Sequence, residues 1–157
     1  MKTYKNLFDK IIPFENLLLA ANKAAKGKRE EPNVLKFFLT LEENLCQLQE
    51  ELEAQTYLPG DYNAFQIYEP KPRIISAAPF RDRVVHHALM NIIGPLIERG
   101  FIFDSYANRV GKGTHKAIHR YQHFLRVYKF VLKCDIKSYF PSIDHEKHQY
   151  SLLPECL

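Results

Sequence analysis

Between Pro32 and Ala78 the spacing of apolar residues switches from a helical to a strand period, and this switch restricts the chain to a mixed α and β fold. Beyond Pro32, placed where helices often start, apolar side chains recur at Val34, Phe37, Phe38, Leu41, Leu45, Leu48 and Leu52. They form one stripe, flanked by Glu42, Glu43, Glu50 and Glu51, that predicts a single amphipathic helix packed on a core. Pro59, Gly60 and Asp61 end it. Two β-favouring runs follow, 62–68 and 73–78, separated by Glu69-Pro70-Lys71-Pro72, which predicts a hairpin with a basic tip.

On either side of the hairpin the helical period returns. Leu7, Ile11 and Ile12 predict a short helix ended by Pro13, and a second helix runs from Phe14 to Lys26 until Gly27 stops it. After Pro79, a helix carries Val84, Val85, Ala88, Leu89, Ile92 and Ile93, with Gly94-Pro95 expected to kink it. Residues 105–113 read as a loop. A helix opening near Thr114 is expected to bury Ala117, Ile118, Tyr121, Phe124 and Leu125, and 129–136 reads as a short strand that delivers Asp135 at its carboxyl end.

With 46% hydrophobic and 13% aromatic residues, a chain of 157 residues can bury a core. Its longest apolar run, Leu17 to Ala21, is far short of the roughly 20 residues that span a bilayer, so the expectation is a cytoplasmic protein with no membrane partner. Cys46, Cys134 and Cys156 are too widely spaced for a disulfide framework or a thiolate zinc site. Charge is uneven: residues 1–60 hold eight Lys and Arg against nine Asp and Glu, whereas 71–133 hold twelve against three. A segment so basic suits a polyanion such as nucleic acid, or else forms a solvated face.

The stretch KFVLKCDIKSYFPSIDH, residues 129–145, carries the most chemistry. A carboxylate at the end of a buried strand can hold a hard cation such as Mg²⁺ in a cleft, although an aspartate there also serves as a turn former or cap. His115, His119 and His123 fall on one helical face, either as part of a zinc site or as a solvent- or RNA-facing edge. His86 and His87 read as structural or RNA-facing.

RIISAAPFRDRVVHHAL (73–89), DSYANRVGKGTHKAI (104–118) and the Asp135 stretch, in this order, resemble bacterial reverse transcriptases of the diversity-generating retroelement and group II intron type. The resemblance covers about 57–146. It implies an α+β fold with N-terminal helices over 1–56, fingers over 57–128 built on a β-hairpin with helices, and the first strand of a palm over 129–157.

By the same resemblance, Asp135 and the carbonyl of Ile136 bind Mg²⁺, Lys71 and Arg73 hold a deoxynucleotide triphosphate, and Phe140 excludes a 2′-hydroxyl. Arg83, Arg109 and Lys112 approach the nucleic acid. On residue chemistry alone, Asp82 could equally cap its helix and pair with Arg83, and Phe140 could be a core residue. The implied partners are an RNA template, a DNA primer, deoxynucleotide triphosphates and, further, a retroelement accessory protein. The family's later YxDD-type pair of aspartates is absent from these residues, and the closing EKHQYSLLPECL departs from the family pattern. The expectation is therefore a truncated or frame-shifted fragment without polymerase activity of its own. The rival expectations are an RNA-binding module and a non-functional remnant.

Overall fold

The computed structural model describes residues 4–68, 70–139 and 142–144. They fall into two compact units, Tyr4–Gly100 and the described residues from Phe101 onward. The first unit contains helices α1 (Phe8–Ile11), α2 (Phe14–Ala24), α3 (Pro32–Leu39), α4 (Leu41–Glu53) and α5 (Phe80–Glu98), with strands β1 (Asn63–Ile67) and β2 (Arg73–Ala77) between α4 and α5. The second contains α6 (Thr114–Val127). The protein is thus mixed α+β, and among the described residues no helix is long and apolar enough to cross a membrane.

The core of the first unit is a seam between α2 and α5 closed by α3 and α4. Helix α2 buries Leu17, Ala20, Ala21 and Ala24, and α5 buries Phe80, Val84 and Ala88. The alanines among them let the two helix backbones approach closely, while Leu45 and Leu48 of α4 and Val34 of α3 fill the remaining space. Each fully buried leucine contributes roughly 2 kcal/mol by removal from water. Phe37 and Phe80 meet edge to face at 5.0 Å.

Polar groups pin the same seam. The Asn16 amide donates to the carbonyls of Ile11 (2.8 Å) and Ala88 (3.1 Å), and the Asn91 amide donates to the Asn16 carbonyl oxygen at 2.9 Å. Helix α5 continues through Pro95 to Glu98. Lower down, His87 is half-buried, and burial first, then Lys23, His86 and Arg83, push its imidazole below the ordinary histidine range. A folded-state value below the unfolded one means that this group contributes stability above about pH 6.5 that is lost as pH falls through the folded value. The thermal midpoint is accordingly expected to drop between pH 7.5 and 5.5, and His87→Gln is expected to flatten part of that drop.

Three expectations need correction. The apolar stripe from 34 to 52 is two helices, because Thr40 takes φ −124°, ψ 47° and breaks the run. The Asn44 side chain accommodates the break by donating to the Phe37 carbonyl (2.9 Å) and to the Thr40 hydroxyl (3.0 Å). Helix α6 forms where expected, yet Ile118, Tyr121 and Leu125 stay exposed, because no described element of its own unit covers them. Finally, 129–136 pairs with no strand among the described residues, and Phe130, Leu132 and Ile136 lie open to solvent. A β-favouring run becomes a strand only where another edge supplies its hydrogen bonds.

Candidate functional site

Strands β1 and β2 are antiparallel, with Asn63 opposite Ala77, Phe65 opposite Ile75 and Ile67 opposite Arg73. Residues opposite one another share a face, so Asn63, Phe65, Ile67, Arg73, Ile75 and Ala77 lie on one side of the ribbon and Ala64, Gln66, Ile74 and Ser76 on the other. The first face is the better covered: Ile67 and Ile75 are each 36% exposed, against 75% for Ile74 on the second. Arg73 lies on this same face and is itself exposed. Lys71 stands exposed in the connecting turn, as the sequence predicts.

The base of the hairpin is clamped to α5 by a buried carboxylate. Asp82, 2% exposed, accepts hydrogen bonds from the Tyr57 hydroxyl at 2.6 Å and from the Gly60 backbone N–H at 2.9 Å. It caps no helix, and Arg83 pairs elsewhere. A side chain at residue 60 would put its Cβ 3.1 Å from Cγ of Pro79, which accounts for the glycine where the chain enters β1. Burial, and next the bond to Asp82, raise the Tyr57 hydroxyl above the ordinary tyrosine range, so it remains a donor at any physiological pH. Arg81 stacks over the Tyr57 ring at 5.3 Å and forms an ion pair with Glu51.

This clamp fixes the start of α5 and with it Arg83. The Arg83 guanidinium lies 5.2 Å from the Phe80 ring centroid and 3.8 Å from the Glu31 carboxylate, and its buried Nε meets no acceptor among the described residues. In front of it opens a cleft of about 360 Å³ whose lining includes Lys28, Glu31, Asn33, Asp61, Asn63, Phe65 and Arg83. Cation, carboxylate, amide and aromatic ring converge here within one unit. Sequence reasoning selected Arg83 but missed Lys28, Glu31 and Phe65, whose proximity depends on how the 26–31 loop packs.

In the second unit, Arg109 and Lys112 serve their own loop. Arg109 donates to the carbonyls of Ile102 (3.2 Å) and Ser105 (3.3 Å), and Lys112 to that of Phe103 at 2.6 Å while sitting 3.7 Å from the centroid of the Phe103 ring. Gly111 and Gly113 take φ of 73° and 89°, a region that side chains disfavour. Asp104 accepts from Arg120 at 2.9 Å and from the Tyr106 hydroxyl at 3.1 Å, and the Arg120 guanidinium holds its carboxyl below the usual range. This ion pair, sixteen residues apart in sequence, left no readable signal in the chain.

Asp135 and Ile136 lie exposed on the unpaired 129–136 segment, and Phe140 lies outside the described residues. One carboxylate and one carbonyl are fewer oxygens than the six that Mg²⁺ takes, so these residues fit only part of a metal site. Among the described residues no three His, Cys, Asp or Glu side chains converge, those of α6 included.

No protein-family model matches the chain, and no curated protein matches it. The likeness to reverse transcriptases consequently rests on the residues quoted from 57–146 alone.

Proposed function

We propose that this chain carries the fingers and the opening palm segment of an RNA-directed DNA polymerase of the bacterial reverse transcriptase type. The observation that favours this reading is the first unit's layout, in which Arg73 and Phe65 share one face of a hairpin and Phe65 lines a cleft with Arg83. Guanidinium groups on a ribbon and on the helix behind it can grip phosphates along a strand, and an aromatic ring between them can stack on a base. In this reading Lys71 and Arg73 take the triphosphate of an incoming deoxynucleotide, and Arg83 positions the template.

Magnesium, when bound, would activate the primer hydroxyl and stabilise charge on the transferred phosphoryl group. Asp135 and the Ile136 carbonyl would supply part of its ligand set, and Phe140 would occupy the space that a 2′-hydroxyl needs. The sequence contains no Asp-Asp pair to complete the set, so the chain alone binds nucleic acid without extending a primer.

Two measurements on the full chain test this reading. A labelled RNA template annealed to a DNA primer should bind with an affinity that falls steeply with salt, and Asp135→Ala should leave that binding unchanged. Deoxynucleotide incorporation should not exceed the Asp135→Ala background. Incorporation above that background would contradict the binding-only state of the chain, and failure to bind RNA would contradict the family reading itself.

A further inference from the structure

We propose that the cleft at the hairpin base is a phosphate site that Glu31 occupies as an internal counter-ion, so that a nucleotide phosphate, free or within a strand, must displace this carboxylate from Arg83 and Lys28. The inference deepens the nucleic-acid reading and rests on it for the identity of the anion.

Glu31 stands between two cations and satisfies neither. Its carboxylate is 3.8 Å from Arg83 and 4.0 Å from Lys28, at the long limit of ion pairing, and no hydrogen bond to either is formed. The three side chains differ in exposure: 43% for Glu31, 51% for Lys28 and 23% for Arg83. The carboxylate is thus free to swing into solvent, whereas the guanidinium is held in place by the Phe80 ring. Partly exposed pairs of this kind are weak and readily exchanged. A phosphate offers more oxygens and more charge, can accept from an arginine fork in a bidentate manner, and leaves an oxygen for the Lys28 ammonium.

The rest of the cleft suits the remainder of a nucleotide. Phe65 is 48% exposed and presents a surface on which a base can stack. Asp61 and Asn63 can accept hydrogen bonds from ribose hydroxyls or an exocyclic amine. Asn33 uses its carbonyl oxygen for the Val34 N–H at 2.9 Å, so its amide N–H groups remain to face a phosphate. A volume of about 360 Å³ lies within the usual range of small-ligand sites.

The test compares the chain with Glu31→Gln, Arg83→Gln and the double variant, each checked by circular dichroism, by fluorescence anisotropy with two probes. One probe is a labelled nucleoside triphosphate and the other a short labelled single-stranded RNA, so that the more responsive arm identifies whether the phosphate comes from a free nucleotide or from a strand. Removing the competing carboxylate should tighten binding of at least one probe about fivefold. The gain should disappear in the Arg83→Gln background, because the carboxylate then has no guanidinium to guard. Glu42→Gln, an acid on α4 outside the cleft, should give a smaller change. Unchanged affinity in Glu31→Gln, or a gain that survives Arg83→Gln, overturns the counter-ion role even if RNA binding persists. Loss of RNA binding in all forms overturns the nucleic-acid reading with it.

Discussion

Asp82→Ala is expected to destabilise the chain by about 2–3 kcal/mol, because it strips two hydrogen-bond donors of their acceptor beneath the hairpin. The Tyr57 hydroxyl and the Gly60 N–H both spend their protons on this one carboxylate, and Asp82 itself is buried at 2% exposure. Urea unfolding should register the loss in its midpoint, with the slope little changed. Asp82→Asn is expected to cost less, because an amide can still accept from one donor while its own N–H groups face the other. Amide exchange in β1 and β2 should accelerate in both variants, since the clamp is what joins the ribbon to α5. A change under about 0.5 kcal/mol for the alanine variant would mean that Asp82 does not hold the hairpin.

Replacing Lys71, Arg73 and Arg83 together by alanine should reduce affinity for single-stranded RNA roughly 30- to 100-fold at low salt. On the proposed function each of the three contacts a phosphate, and their loss should also flatten the plot of log affinity against log salt by about 2 units, since one contact contributes a slope near 0.7 on a single strand. None of the three is fully buried, and Lys71 and Arg73 are exposed on the hairpin, so circular dichroism should report a folded protein. The same substitutions at Arg109 and Lys112 should instead lower stability, because those head groups are bonded to the loop carbonyls of Ile102, Ser105 and Phe103. The contrast separates cations whose head groups bond no backbone from cations that hold a loop's carbonyls.

What the sequence makes legible is local. The β-favouring runs around Glu69-Pro70-Lys71-Pro72 yield the hairpin, with Arg73 opening its second strand, and Gly27 with φ of 73° marks the turn after α2. The break at Thr40 is invisible to periodicity because the apolar stripe continues in register across it, and what permits it is a side-chain bond from Asn44. Helix α4 ends in a Schellman turn with Gln55 at φ 57°, where a glycine would have signalled the stop. Periodicity likewise identifies the apolar face of α6 but cannot say whether another element covers it.

Of the candidate site, residue type was readable and partnership was not. Asp82 bonds across 25 and 22 residues, and Glu31 meets Arg83 with α3, α4 and the whole hairpin between them in sequence, separations at which residue spacing carries no geometric information. Charge density marks the basic segment, yet only the fold distinguishes Arg83, which faces a cleft, from Arg109 and Lys112, which are bonded to their own loop.

The most direct test is a two-dimensional amide NMR titration of the ¹⁵N-labelled chain with a short single-stranded RNA. The account predicts the largest shifts at Phe65, Arg73 and Ile75 on one face of the hairpin and at the start of α5 through Arg83, with little change along the outer face of α4 near Glu42 and Gln49. Shifts absent from both the hairpin and the start of α5 would contradict it.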